Sequence, residues 1–111
     1  MRPEERPIVW LHGSIRTPPF SNPARLQAGY LLRRLQDGER LAMPHSRAMP
    51  AIGPRCHELR IPDGSASWRI VYHQAPDAIV ILAVFEKKTR KTPPHLIHAC
   101  KLRLKRHEEE G

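Results

Sequence analysis

The sequence predicts a small α+β domain. A meander of three antiparallel strands, joined by an N-terminal strand, packs against an N-terminal and a C-terminal helix. Three observations lead there. Apolar runs bounded by Pro, Asp and Gly fall at Cys56 to Ile61, Ser67 to His73 and Ala78 to Phe85. Two segments with apolar residues at helical spacing flank them, each opened by proline. The 111 residues, 40% of them hydrophobic, suffice for one core and not for two. One domain over residues 1–111 is expected, with its core between about residues 7 and 106.

Each element has a local reason. Pro7 to Leu11 reads as the first strand, and His12 to Pro19, rich in Gly, Ser, Thr and Pro, as a loop. Asn22-Pro23 opens the first helix: Asn caps, and Pro suits the first position because its missing N–H costs nothing there. Ala24, Ala28, Leu31, Leu32 and Leu35 form its core stripe, and Gly38 its left-handed stop. Arg40 to Arg55, broken by Pro44, Pro50 and Pro54, reads as a long loop with at most one helical turn. Pro62-Asp63-Gly64 and Ala75-Pro76-Asp77 are the turns of the meander. The third meander strand is apolar at nearly every position, so it is covered on both faces. Thr92-Pro93-Pro94 opens the last helix, with Leu96, Ile97, Cys100 and Leu104 inward and Glu108 to Glu110 as a frayed tail.

Charge narrows the function. The formal net charge is +8. Lys87, Lys88, Arg90, Lys91, Lys101, Arg103, Lys105 and Arg106 fall in one segment without an acidic residue, and the rest of the chain balances. Such a segment fits a solvated helix face or a polyanion site, nucleic acid first. Here it begins where an apolar strand ends, which favours a site at a sheet edge. No apolar run approaches the roughly 18 residues of a membrane span. The N-terminus has no apolar signal core, so export is not expected. Two cysteines, Cys56 and Cys100, fit free thiols in a reducing cytoplasm and make no zinc motif.

Register places the arginines. Pairing Ile61 with Trp68 sets Leu59 against Ile70 and His57 against Tyr72, with every large apolar side chain of the hairpin on one face. Glu58, Arg60, Arg69 and Val71 then share the other face, and Arg60 stands opposite Arg69. Two like charges so placed need compensation, from Glu58 as an ordinary ion pair, from a protein or from a bound anion. If His73 pairs with Ala78, Phe85 falls beside Ala66 and Lys87 beside Gly64. Arg60, Arg69, Lys87 and Lys88 would then gather at one end of the sheet as a phosphate cradle. Trp68 and Tyr72 are expected in the core, and His57 as a core histidine. No nucleotide-loop or metal-ligand motif is present, and no metal or cofactor is expected.

Several pieces in order carry a family resemblance: Leu35, Gly38 and Leu41 ending a helix; Glu58-Leu59-Arg60; Trp68-Arg69-Ile70-Val71-Tyr72; and Phe85-Glu86-Lys87-Lys88 followed by Thr92-Pro93. Together, from about Pro7 to Arg106, they resemble the phage-derived, HigB-like branch of the RelE/ParE toxin superfamily. The resemblance implies a cytoplasmic toxin of a type II toxin–antitoxin pair. Its activity would be that of a metal-independent endoribonuclease, an mRNA interferase that inhibits translation at the ribosome. Its partners would be messenger RNA, the ribosome and a helix-turn-helix antitoxin, with no membrane. Arg60, Arg69, Lys87 and Lys88 match positions that look functional in the family. Arg47, Arg55, Arg90, Lys91, Lys101 and Lys105 are the further expected RNA contacts. The family's usual catalytic His, Asp, Tyr or Lys has no unambiguous equivalent here. A ParE-like gyrase inhibitor of the same fold, and a non-enzymatic RNA-binding phage protein, are the competing readings.

Overall fold

The computed structural model describes residues 6–13 and 20–110. Its elements are β1 (Ile8–Trp10), α1 (Asn22–Gln36), β2 (Ser46–Ala48), β3 (Cys56–Asp63), β4 (Ala66–Gln74), β5 (Ile79–Glu86) and α2 (Pro94–Glu110). The five strands form one sheet in the order β1-β5-β4-β3-β2. β1 runs parallel to β5, and every other pairing is antiparallel. The α+β architecture is therefore as the sequence predicts.

The two helices cover opposite faces. The inward stripe of α1, with Ala28, Leu31 and Leu35 fully buried, packs on Leu59, Ile61, Trp68, Ile70, Tyr72 and Ile81. Each buried leucine contributes about 1.5–3 kcal/mol relative to exposure. Trp68 stacks on Phe20 at 4.7 Å and donates its indole N–H to Asp63 at 2.9 Å. On the other face, Cys100 and Leu104 of α2 meet Cys56, Val71, Val80, Leu82 and Ala83. Met49 and Ile52 of the long connection close that second core.

Several local expectations are corrected. Ser21, not Asn22, caps α1: its side chain accepts from Ala24 N–H at 3.2 Å, while its own N–H and hydroxyl donate to Asp63. Both residues are good caps, and the tie to Asp63 selects the earlier one. Gly38, at φ 94°, ends the helix as expected. The long connection is not wholly loop, because Ser46–Ala48 adds an edge strand to β3. Ser46 is held there by a 2.7 Å hydrogen bond with the Tyr72 hydroxyl. Glu108, Glu109 and Glu110 are the last turn of α2 and not a frayed tail. The part of the first predicted loop at residues 14–19 lies outside the described residues.

The β3–β4 register is the predicted one, with Ile61 opposite Trp68 and Arg60 opposite Arg69. The β4–β5 register is not. His73 pairs with Val80, not Ala78, so the hairpin is longer at its turn than predicted. A bulge between Val71 and Tyr72 then leaves Leu82 as an extra residue in β5. Phe85 consequently lies opposite Arg69, and Lys87 N–H donates to the Ser67 carbonyl at 2.8 Å. The Leu82 carbonyl accepts from Arg103 Nη1 of α2 at 2.7 Å.

Candidate functional site

Beyond the α2 core, the same sheet face carries charge. Arg47 of β2 lies opposite Glu58 of β3, and Arg60 lies opposite Arg69. Lys87, just past β5, completes the group. At its centre sits Glu58, only 1% exposed. Its carboxylate lies 3.5 Å from Arg69 Nε and 3.8 Å from Lys87 Nζ. The Thr92 hydroxyl donates to its other oxygen at 3.5 Å. These contacts are long, and Arg69 Nε makes no hydrogen bond, so its contact with Glu58 is an ion pair only.

Arg69 is nevertheless held in place. Its Nη1 donates to the Ser67 hydroxyl and to the Trp68 carbonyl. Burial pulls its guanidinium below the usual arginine range, Glu58 opposes that, and Arg60 and Arg47 reinforce it. Lys87 is lowered in the same way, first by burial and then by Arg69, Arg47 and Arg60, with Glu58 acting against them. Arg60 is half-buried, and Arg60 Nη1 lies 3.5 Å from the Met43 sulfur. No ion pair of Arg60 is found among the described residues. Four cations thus lie near one carboxylate, which pairs with Arg69 and Lys87, and the excess positive charge faces solvent through Arg47 and Arg60. Such a surface can bind a phosphodiester, with guanidiniums donating paired hydrogen bonds.

The structure brings Arg60, Arg69, Lys87 and Arg47 together and separates the other candidates. Lys88 turns away: its side chain is 77% exposed and lies 4.0 Å from Glu86. Arg55 lies beside the start of β3, and Lys101 and Lys105 line a different cavity against the 52–54 segment. Arg90 and Lys91 are exposed on the connection to α2. Of the two arginines, Arg69 forms the Glu58 ion pair weighed as an alternative to an anion site, and among the described residues Arg60 does not. Sequence reasoning missed Thr92, read as a helix cap, and the anchoring hydroxyl of Ser67. The signal for Thr92 was its position just past Lys87, where the chain must cross the same face. His57 is half-buried and stacks on Tyr72 at 5.4 Å, at the edge of the first core. No group of three or more His, Cys, Asp or Glu that could hold a metal is found among the described residues. Among them, too, no helix is long and apolar enough to cross a membrane.

A two-helix α+β sheet with a strand-built cationic cluster is the class this chain represents. The model of one family, described as Phage derived protein Gp49-like (DUF891), matches residues 19–105. The chain belongs to that family, a phage-derived, toxin-like group. No curated protein and no solved structure matches it.

Proposed function

We propose that this protein is the toxin of a type II toxin–antitoxin system, of the HigB-like branch. It acts in the cytoplasm as a metal-independent endoribonuclease on messenger RNA at the ribosome, and a helix-turn-helix antitoxin neutralises it. The observation that carries the reading is the convergence of Arg60, Arg69, Lys87 and Arg47 around the single carboxylate of Glu58. Family membership supports the toxin class.

The chemistry needs little more than positioning and charge. The ribose 2′-oxygen attacks the adjacent phosphorus, the P–O5′ bond breaks, and a 2′,3′-cyclic phosphate and a 5′-hydroxyl result. The 2′-hydroxyl proton leaves to a base, and one proton reaches the departing 5′-oxygen. Arg60, the more accessible arginine, donates to the non-bridging oxygens as their charge grows. Arg69, buried and anchored by Ser67, sets the position of Glu58 and adds positive potential. Lys87, its proton loosened by burial and by neighbouring arginines, gives the proton to the 5′-oxygen. Lys88, Arg90 and Lys91 extend the positive path for the flanking RNA, and Lys101, Lys105 and Arg55 lie off it.

The test is cleavage of a reporter message on purified ribosomes, with EDTA present. The expected result is cleavage that survives EDTA and is lost in Arg60→Ala with the fold intact. Inhibition of gyrase supercoiling without RNA cleavage would instead establish the gyrase-poison reading. RNA binding without either activity would leave an accessory RNA-binding protein.

A further inference from the structure

A second concentration of positive charge surrounds the first residues of β3. A cavity of about 630 Å³ opens there. Its walls come from the segment leading into β1, the exit of α1, the β2–β3 connection and the β4–β5 turn. Arg6, Arg40 and Arg55 line it, and among the described residues no aspartate or glutamate does. Glu39, the neighbour of Arg40 in the chain, is engaged 3.1 Å from Arg34. None of the three arginines has an ion pair among the described residues. Three guanidiniums around one cavity repel one another unless an anion joins them.

The walls are fixed before any ligand arrives. Arg6 exchanges backbone and side-chain hydrogen bonds with Gln36, and its Nε donates to the Pro76 carbonyl at 3.1 Å. The Arg55 carbonyl accepts from Gln74 N–H at 2.9 Å. Arg55 itself stands at φ 56°, a left-handed backbone that a non-glycine residue adopts only at a cost. His57 also lines the cavity, and its ring offers an aromatic surface.

We propose that this cavity binds the phosphate of a nucleotide, as a site separate from the Glu58 cluster. Guanidinium forks match phosphate oxygens, and the imidazole of His57 can take a base against it. The volume lies within the roughly 300–1,000 Å³ of small-ligand sites, so it takes one nucleotide unit and not a packed helix. The ligand is a free mononucleotide or one nucleotide of an RNA strand.

Titration calorimetry tests this with four probes: inorganic phosphate, adenosine 5′-monophosphate, a six-residue RNA and a glutamate-rich peptide. NMR of the His57 imidazole reports where each binds. The mononucleotide or the RNA is expected to bind more tightly than phosphate and to shift the His57 signals. Binding of both nucleotide probes assigns a free nucleotide as ligand, and binding of the RNA alone assigns an internal phosphate; each sustains the proposal. Arg40→Ala and Arg55→Gly should each weaken the binding about tenfold, whereas Arg60→Ala should leave it unchanged. Glycine at position 55 relieves the left-handed backbone, so Arg55→Gly keeps the fold, as its melting temperature will show. Three outcomes overturn the proposal: no nucleotide probe binds, only the acidic peptide binds, or binding falls with Arg60→Ala and not with Arg55→Gly. Cleavage is not read, so failure here leaves the ribonuclease reading intact.

Discussion

Glu58 and Arg69 are a buried ion pair without a hydrogen bond: the carboxylate lies 3.5 Å from Nε, and Nε has no acceptor. The pair is close enough to cancel charge and loose enough to leave donors uncommitted. Lys87 shares the same carboxylate oxygen at 3.8 Å. Removing the carboxylate charge therefore leaves two buried cations facing each other. Glu58→Gln should cost about 3 kcal/mol, at the lower end for breaking a buried pair. Urea denaturation measures it. Adding Lys87→Met should restore part of the loss, and strict additivity would show that the two do not interact.

Lys87 and Lys88 are neighbours with different surroundings. The side chain of Lys87 is 9% exposed and that of Lys88 77%. If Lys87 delivers the proton, Lys87→Gln should lower cleavage by roughly a hundredfold or more. Lys88→Gln should lower it only slightly, as should Lys101→Gln combined with Lys105→Gln. Single-turnover rates on ribosomes decide the matter, and equal losses would reduce the lysines to bulk charge.

Trp68 is structural in this arrangement. It is 5% exposed, stacks on Phe20 and donates to Asp63. Trp68→Ala should cost roughly 3–5 kcal/mol. The loss should appear in thermal and urea unfolding alike, with no change in the salt slope of RNA binding beyond that caused by unfolding.

Acid should weaken the fold through two imidazoles. Burial holds both His57 and His73 below the ordinary histidine range. Around His73, Glu108 raises the value, while Arg55 and His107 lower it further. The unfolded chain thus takes up these protons first. Stability is complete above the unfolded value near 6.5 and falls as pH drops toward the folded values, by at most about 1.4 kcal/mol per pH unit for each ring. Urea midpoints between pH 7.5 and 5 should show the decline, and the double variant His57→Gln with His73→Gln should flatten it.

The legibility of these features from sequence follows their physics. The β3–β4 register was readable because both strands alternate, so a one-residue slip would split Leu59, Ile61, Trp68 and Ile70 between faces, and the short turn at Pro62-Asp63-Gly64 selects among the pairings that remain. That pairing alone set Arg60 against Arg69. β5 carries no such signal. It is apolar at every position from Ile79 to Phe85, so sliding it changes no burial pattern. β2 was hidden because three residues with one buried serine show no period. The basic segment was readable as charge and not as a surface: a strand end, a loop and a helix lie along it, and they point in different directions. Thr92 was assigned to its own helix because long-range contacts of a hydroxyl leave no trace in spacing.

The extra residue at Leu82 also settles a question of parity. Strand residues alternate sides, and an uninterrupted β5 would send Val80, Leu82, Val84, Glu86 and Lys88 to one side. The bulge adds one step, so Leu82 and Ala83 both enter the second core, and odd positions follow them to Phe85 and Lys87. One inserted residue, clasped by Arg103 from the far helix, thereby selects which of two adjacent lysines meets Glu58. A β5 that kept Leu82 in regular alternation, without the bulge, would hold the same charges and present the next lysine instead.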